Sequence, residues 1–149
     1  MQKCYLALGC FWKPEESFRH SKGVVETEVG YAGGNSQKTT YEEVCEGNTG
    51  HAETVKITYD EKIISYEKIL EVFFQIHDPT QKDMQYPDVG TQYRSEIFYD
   101  NENQKKIAIE KKEFFSKKLD GKIETNISEI KNYCKAEDYH QKYIMKKRR

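Results

Sequence analysis

The sequence has no apolar run long enough to cross a bilayer, because no stretch approaches the roughly 18 residues that a membrane helix needs. It also lacks a large net charge, since 24 Lys and Arg residues against 25 Asp and Glu residues leave −1. Without a strong field of one sign, neither nucleic acid nor an anionic membrane is attracted. The first residues lack the basic and apolar pattern of a secretory signal. We therefore expect a cytoplasmic monomer with no nucleic-acid or membrane partner.

Cysteine is scarce and irregularly spaced. The four cysteines are Cys4, Cys10, Cys45 and Cys134, and no CxxC pair occurs among them. That spacing fits neither a disulfide framework nor a zinc ribbon. Reduced thiols are expected, with no metal ion and no cofactor.

Aromatic residues, by contrast, are abundant: 7 Phe, 11 Tyr and 1 Trp make up 13% of the 149 residues. Their large buried area favours a compact core, although 33% of the residues are charged. The length favours one domain that covers 1–149.

The spacing of apolar residues predicts alternating strands and helices. Strands are predicted over 4–8, 24–31, 55–59, 93–99 and 123–127, and helices over 11–20, 65–76 and 101–119. A long loop is expected over 78–92, and the basic tail 146–149 is expected to be a solvated, frayed helix. The first six elements follow the split β-α-β pattern. We predict an α+β fold, a two-layer sandwich with a ferredoxin-like split β-α-β core and a mixed sheet, with helices packed mainly on one face.

Cys10 is the most informative residue. It follows Gly9 at the joint between the first predicted strand and the first predicted helix. Unpaired N–H groups and the positive end of a helix dipole at such a joint lower the pKa of a thiol and favour the thiolate. A nucleophile is one interpretation of this residue, and a buried structural cysteine is the other.

Three further clusters have side chains suited to chemistry, and each has an ordinary structural explanation when taken alone. Glu53, near the start of a strand, is either desolvated and protonated or an exposed residue of an edge strand. The segment 88–95 places Asp88 and Tyr93 at a loop-to-strand joint, for which plain turn chemistry is the alternative. The segment 136–141, which includes His140, also fits a charged helix start.

Taken together, these segments resemble the A-type peptide methionine sulfoxide reductases, in that family's order and spacing, from residue 3 to about 143. GCFW at 9–12 is highly specific for that family. The other matching motifs are GYAGG at 30–34, TYEEVC at 40–45, GHAE at 50–53, HDP at 77–79, GTQYRS at 90–95 and AEDYHQ at 136–141.

The resemblance implies a division of labour among five catalytic residues. Cys10 would attack the sulfoxide sulfur, and Glu53 would protonate the oxygen. Tyr41 and Tyr93 would help to hold that oxygen, and Asp88 would tune the thiol. The implied activity is reduction of methionine-S-sulfoxide, free or in proteins, to methionine.

The resemblance also implies a substrate pocket, with Phe11 and Trp12 around the S-methyl group and His140 as a further substrate-binding residue. One departure from the family lies beside it, because Lys13 stands where many relatives have Gly. A solvated surface lysine is expected there.

The chemistry requires a proton donor at neutral pH, because a sulfoxide oxygen is a poor leaving group until it is protonated. The pKa of Glu53 would have to rise by roughly 2–3 units for this purpose. Burial beside a second negative charge can supply such a shift. We expect Cys10 and Glu53 to titrate as a coupled pair.

The reaction would leave a sulfenic acid on Cys10, which a second thiol must reduce. Many relatives have recycling cysteines in a C-terminal extension that this sequence lacks, so we expect an external thiol from thioredoxin, glutaredoxin or a small molecule. Cys134 is the internal alternative, and Cys45 is expected to be packed.

Two other functions are kept as alternatives. A Cys–His hydrolase or acyl transferase would activate Cys10 through His51 or His140. A non-enzymatic module would only bind methionine sulfoxide in the aromatic pocket.

Overall fold

The computed structural model describes residues 1–119 and 122–148. The strands in chain order are β1 (Gln2–Leu8), β2 (Val24–Ala32), β3 (Ala52–Tyr59), β4 (Met84–Gln85), β5 (Asp88–Val89), β6 (Ser95–Tyr99), β7 (Asn126–Glu129) and β8 (Cys134–Lys135). The helices are α1 (Trp12–Arg19), α2 (Tyr41–Cys45), α3 (Tyr66–Gln75), α4 (Glu102–Lys118) and α5 (Tyr143–Lys147). None of the helices in these ranges is long and apolar enough to span a membrane.

Six strands form one mixed sheet in the order β7-β6-β1-β3-β2-β8. Strand β3 lies between β1 and β2 and is antiparallel to both, whereas β6 and β7 are parallel. An antiparallel strand inserted between the two strands of a β-α-β unit defines the split β-α-β arrangement. The predicted α+β fold with a ferredoxin-like core is therefore confirmed.

The two faces of the sheet are packed differently. Large apolar side chains such as Leu6, Val55 and Ile57 face the main core, which the helices cover. On the opposite face small residues such as Ala7 pack around Phe98. The prediction that helices lie mainly on one face is confirmed.

Side chains at the helix starts explain where α3 and α4 begin. The Ser65 hydroxyl accepts a hydrogen bond from the Lys68 N–H, and the Asn101 side chain accepts one from the Gln104 N–H. Both are N-cap contacts of the kind that the sequence predicted.

The prediction of a strand over 93–99 is wrong at its start. Thr91–Tyr93 forms a 3-10 turn, and β6 begins only at Ser95. Gly90 precedes this turn with φ 137°, a conformation that glycine adopts without steric cost. Tyr93 therefore lies on a turn that packs near β3 rather than in the ladder.

The last predicted strand is shifted, since β7 spans Asn126–Glu129 rather than 123–127. Thr125 is buried but lies just before β7, and its hydroxyl is hydrogen-bonded to the Ser95 hydroxyl at 2.7 Å. Short elements were also missed: α2, β8 and the β4–β5 hairpin inside the predicted long loop.

The C-terminal segment is tied to the edge of the main sheet. The Gln141 side chain accepts a hydrogen bond from the Val29 N–H and donates one to the Val29 carbonyl. The buried Glu15 carboxylate accepts from the Thr27 hydroxyl and from the Lys142 N–H. The predicted helical tail is present in part, because α5 spans Tyr143–Lys147 and ends before Arg148, and Arg149 lies outside the described residues.

Candidate active site

Cys10 lies in a tight turn between β1 and α1. Gly9 has φ 99°, and a Cβ added there would come within 2.9 Å of the Gln85 side chain. Only glycine combines that conformation with such a close neighbour. The turn therefore fixes the thiol at the end of β1, against the loop that contains the β4–β5 hairpin.

Glu53 lies on β3 directly opposite Tyr31 of β2, on the face that the helices cover. Its side chain is buried, and one carboxyl oxygen accepts a hydrogen bond from the Phe11 N–H at 3.2 Å. Burial and the nearby charge of Asp88 outweigh the hydrogen bonds to Glu53 and raise its pKa to about 8. This is the direction expected from the sequence, and it leaves the acid mostly protonated at neutral pH.

The thiol of Cys10 and the carboxyl of Glu53 lie close enough to shift each other's pKa: Glu53 raises the pKa of Cys10, and Cys10 lowers the pKa of Glu53. Burial raises the pKa of Cys10 to about 12, with further contributions from Glu53 and Asp88. The prediction of a lowered thiol pKa is therefore wrong. The Trp12 N–H at the start of α1 does act in the predicted direction, but one backbone donor is weaker than burial beside two carboxyl groups.

The two predicted phenols approach this pair from different elements. Tyr41 begins α2, and its N–H donates to the Glu137 carboxylate at 2.9 Å. Tyr93 lies on the 3-10 turn, where burial and the charge of Glu53 raise the pKa of its phenol. Both hydroxyl groups stay protonated near neutrality and can act as neutral donors.

The predicted substrate-binding residues form an aromatic cluster. The Trp12 indole N–H donates to His140 Nδ1 at 3.1 Å, and the indole stacks on Tyr143 with ring centres 3.8 Å apart. His140 also packs against Phe11 at 5.2 Å and Tyr41 at 4.6 Å. Burial lowers the pKa of His140, so this ring is neutral and holds the indole in place.

Asp88 lines a cleft of about 670 Å³ together with Cys10 and Trp12. It is the first residue of β5 and pairs with Gln85 of β4. The predicted long loop therefore contains a short β-hairpin that brings Asp88 close to the thiol of Cys10. Lys13 is exposed at the rim of the same cleft, as expected.

The other three cysteines differ in burial and in their contacts. Cys4 is fully buried within β1. Cys45 is exposed at the end of α2, so the expectation that it is packed is wrong. Cys134 is half-buried on β8, and its thiol contacts the Thr39 carbonyl at 3.7 Å.

His51 is not placed to activate a nucleophile. Its Nε2 contacts the Ser36 carbonyl at 2.9 Å, and its ring packs so closely on Gly34 that a Cβ there would lie 2.0 Å from Nδ1. It supports the loop before β3. Within residues 1–119 and 122–148, no three His, Cys, Asp or Glu side chains are grouped to hold a metal ion.

Sequence reasoning missed the residues that support the site. The Glu137 carboxylate accepts from the Tyr31 hydroxyl at 2.8 Å as well as from the Tyr41 N–H. The signal was available, because Glu137 lies in the AEDYHQ motif and Tyr31 in the GYAGG motif. The sequence does not indicate that Glu137, 106 residues further along the chain, accepts a hydrogen bond from Tyr31.

Comparison with known proteins identifies relatives along the whole chain. The model of the peptide methionine sulfoxide reductase family matches residues 2–149. The peptide methionine sulfoxide reductase MsrA of Pelagibacter ubique is 56% identical over 147 residues, which are 99% of this chain and 100% of that protein. Mxr1 from Saccharomyces cerevisiae in its reduced form superposes with a TM-score of 0.95 at 38% identity, covering 99% of this chain and 86% of Mxr1.

A second yeast structure shows Mxr1 in complex with Trx2. It matches this chain with a TM-score of 0.68 at 29% identity and covers 95% of this chain and 84% of that one.

Proposed function

The chain belongs to the peptide methionine sulfoxide reductase family and reduces methionine-S-sulfoxide to methionine, and we propose that Cys10 and Glu53 carry out the chemistry. The observation that supports this assignment is the buried carboxyl group of Glu53, which accepts a hydrogen bond from the N–H of the residue after Cys10 and has its pKa raised to about 8. At neutral pH the thiol of Cys10 and the neighbouring carboxyl of Glu53 are therefore both protonated. Neither a hydrolase nor a binding module needs that arrangement.

In the proposed reaction the sulfur of Cys10 attacks the sulfoxide sulfur while Glu53 gives its proton to the oxygen. The S–O bond to methionine breaks, the OH group moves to Cys10, and the thiol proton returns to Glu53. Methionine is reduced, and Cys10 is oxidised to a sulfenic acid. The protonated acid is needed because the oxygen gains negative charge before the bond breaks.

Tyr41 and Tyr93 would donate hydrogen bonds to the same oxygen. As neutral donors they gain strength when negative charge develops on that oxygen. Phe11 and Trp12 would enclose the S-methyl group, with His140 and Tyr143 holding the indole ring in place. Asp88 would act on the thiol through its charge, which raises the thiol's pKa.

An external thiol would return Cys10 to its reduced state. It attacks the sulfenic acid, water leaves, and a second thiol then releases Cys10 from the mixed disulfide. The structure of Mxr1 in complex with Trx2 supports thioredoxin as the reductant, and glutaredoxin or a small thiol has the same chemistry. We propose that residues 1–149 act as one monomeric domain in the cytoplasm, where such thiols are kept reduced.

The test is a single turnover followed by mass spectrometry of the intact protein and its peptides. One equivalent of methionine-S-sulfoxide should yield one equivalent of methionine and a gain of one oxygen on the Cys10 peptide. Cys10→Ser should yield neither, with Cys4→Ser as the control that still reacts. An acyl adduct from an ester, or unchanged methionine sulfoxide bound to the protein, would contradict the proposal.

A further inference from the structure

The cleft beside Cys10 is not the space in which the sulfoxide oxygen would be held. Its lining includes Cys10 and Trp12 but not Glu53, Tyr41 or Tyr93. Clefts of 300–1,000 Å³ typically hold drug-sized ligands, and this one measures about 670 Å³. The side chain of one methionine sulfoxide leaves most of that volume empty.

The walls of the cleft are largely apolar and come from separate parts of the chain. Ile76 follows α3, Tyr86 lies at the tip of the β4–β5 hairpin, and Ile144 belongs to α5. Tyr86 is 77% exposed and Ile76 is 39% exposed. Apolar surface left in water next to a catalytic residue favours a ligand that covers it.

The hairpin that supplies Tyr86 is held firmly in place. The Gln85 side chain accepts from the Asp78 N–H at 3.1 Å and presses against Gly9. The Tyr86 N–H donates to the Gln81 side chain at 2.7 Å. The backbone that presents Tyr86 is therefore formed before anything binds, which lowers the entropic cost of binding.

We propose that this cleft is a subsite for the polypeptide next to methionine sulfoxide and that it selects substrates with an apolar or aromatic residue beside the oxidised methionine. The proposal rests on the proposed function, because Cys10 and Trp12 belong both to this cleft and to the proposed site for the sulfoxide group. The cleft begins at the Trp12 indole, against which the S-methyl group is proposed to lie, and it extends away from Glu53, Tyr41 and Tyr93, which do not line it. The neighbouring side chain would then cover Tyr86 and Ile76.

The test compares three substrates with dithiothreitol as the reductant: N-acetyl-methionine sulfoxide methylamide and two matched peptides with Phe or Ser on both sides of methionine sulfoxide. We expect kcat/KM for the Phe peptide to exceed that for the Ser peptide by about tenfold, the gain from partly burying one aromatic side chain. The variant Tyr86→Ser/Ile76→Ser should reduce this ratio to about twofold. It should leave the rate with the methylamide unchanged.

The matched control is Val89→Ser on the same hairpin, since Val89 is 66% exposed but does not line the cleft. It should keep the tenfold ratio. A ratio near one in the unmodified protein overturns the proposal, while turnover of the methylamide leaves the proposed function intact. If the double variant keeps the tenfold ratio and, in a parallel assay with thioredoxin as the reductant, raises the KM for thioredoxin, the cleft binds the reductant and the proposal is wrong.

Discussion

Two glutamates lie within the same network of aromatic residues and have opposite protonation behaviour. Glu53 has its pKa raised to about 8, since burial prevails over the single backbone donor from Phe11 and the contact with Cys10. Glu137 is also subject to burial, but donors from the Tyr41 N–H and the Tyr31 hydroxyl reverse the effect and lower its pKa.

The difference shows that the depth of burial and the number of donors together decide where the site keeps a proton. A carboxyl group with several N–H or O–H donors stays ionised and acts as a structural acceptor, whereas one left with few donors in a dry place retains its proton. Tyr31 connects the two, because it lies opposite Glu53 on β3 and donates to Glu137. The supporting acid is therefore charged, and the reacting acid is neutral.

The largest expected effect comes from Glu53→Gln, which removes the transferable proton and keeps the shape. We expect kcat to fall by at least about 100-fold, the usual range for loss of a general acid, with a smaller change in substrate binding. Steady-state kinetics with dithiothreitol and N-acetyl-methionine sulfoxide would measure this. A full rate at neutral pH in the variant would rule out Glu53 as the proton donor.

The pH profile is the control for that substitution. In the unmodified protein kcat/KM should be level below pH 7 and decline as pH rises through about 8, the pKa of Glu53, because the acid loses its proton. The Gln variant should lack this decline. Glu137→Gln should keep it, because that carboxylate donates no proton in the reaction.

A second and smaller effect concerns stability against pH. The pKa of Glu53 is raised from 4.5 to about 8 on folding. The stabilising contribution of Glu53 to the free energy of unfolding is therefore fully present below pH 4.5 and is lost as pH rises toward 8. Urea unfolding at pH 5 and pH 8 should show Glu53→Gln gaining up to about 4 kcal/mol relative to the unmodified protein at the higher pH.

Glu137 should show the opposite slope. Its lowered pKa stabilises the fold above the ordinary carboxyl pKa, and that contribution is lost as pH falls through the folded value. The Glu137→Gln variant should therefore have a lower free energy of unfolding than the unmodified protein near neutral pH, and this difference should become smaller in acid. Parallel slopes for the two variants would contradict the assignment of one neutral and one charged glutamate.

The smallest effect is expected from the cysteines next to the Glu137 network. Because an external thiol is proposed to reduce Cys10, Cys45→Ser and Cys134→Ser should each change turnover with dithiothreitol by less than about twofold. Disulfide mapping after one turnover checks the same point without relying on rates. A bond from Cys10 to either residue would contradict direct reduction by an external thiol.

The sequence was most informative where function depends on residue type at a local position. The joint after Gly9 marks Cys10 as a candidate nucleophile from local pattern, and Ser65 and Asn101 predict two helix starts because a cap involves residues only three apart. The alternation of Val55, Ile57 and Tyr59 likewise predicts the buried face of β3.

What the sequence did not predict depends on distant contacts. The pKa of Cys10 is raised mainly by burial, with smaller contributions from Glu53 and Asp88 far along the chain, and these together exceed the effect of the local backbone. The turn that holds Tyr93 was predicted as strand because its aromatic residue fits the β pattern, whereas Gly90 and the following 3-10 hydrogen bonds decide the conformation. Helix α2 is only five residues long, too short for periodicity to reveal.

The stacking of Trp12 on Tyr143 has a consequence for the order in which the enzyme becomes competent during translation. Ribosomes make the amino end first, so Cys10 and Glu53 emerge well before the segment that contacts the indole ring. A nascent chain holds both reactive groups but not yet the wall that positions a ligand. The indole ring is held in place only once this late-made segment has docked on α1.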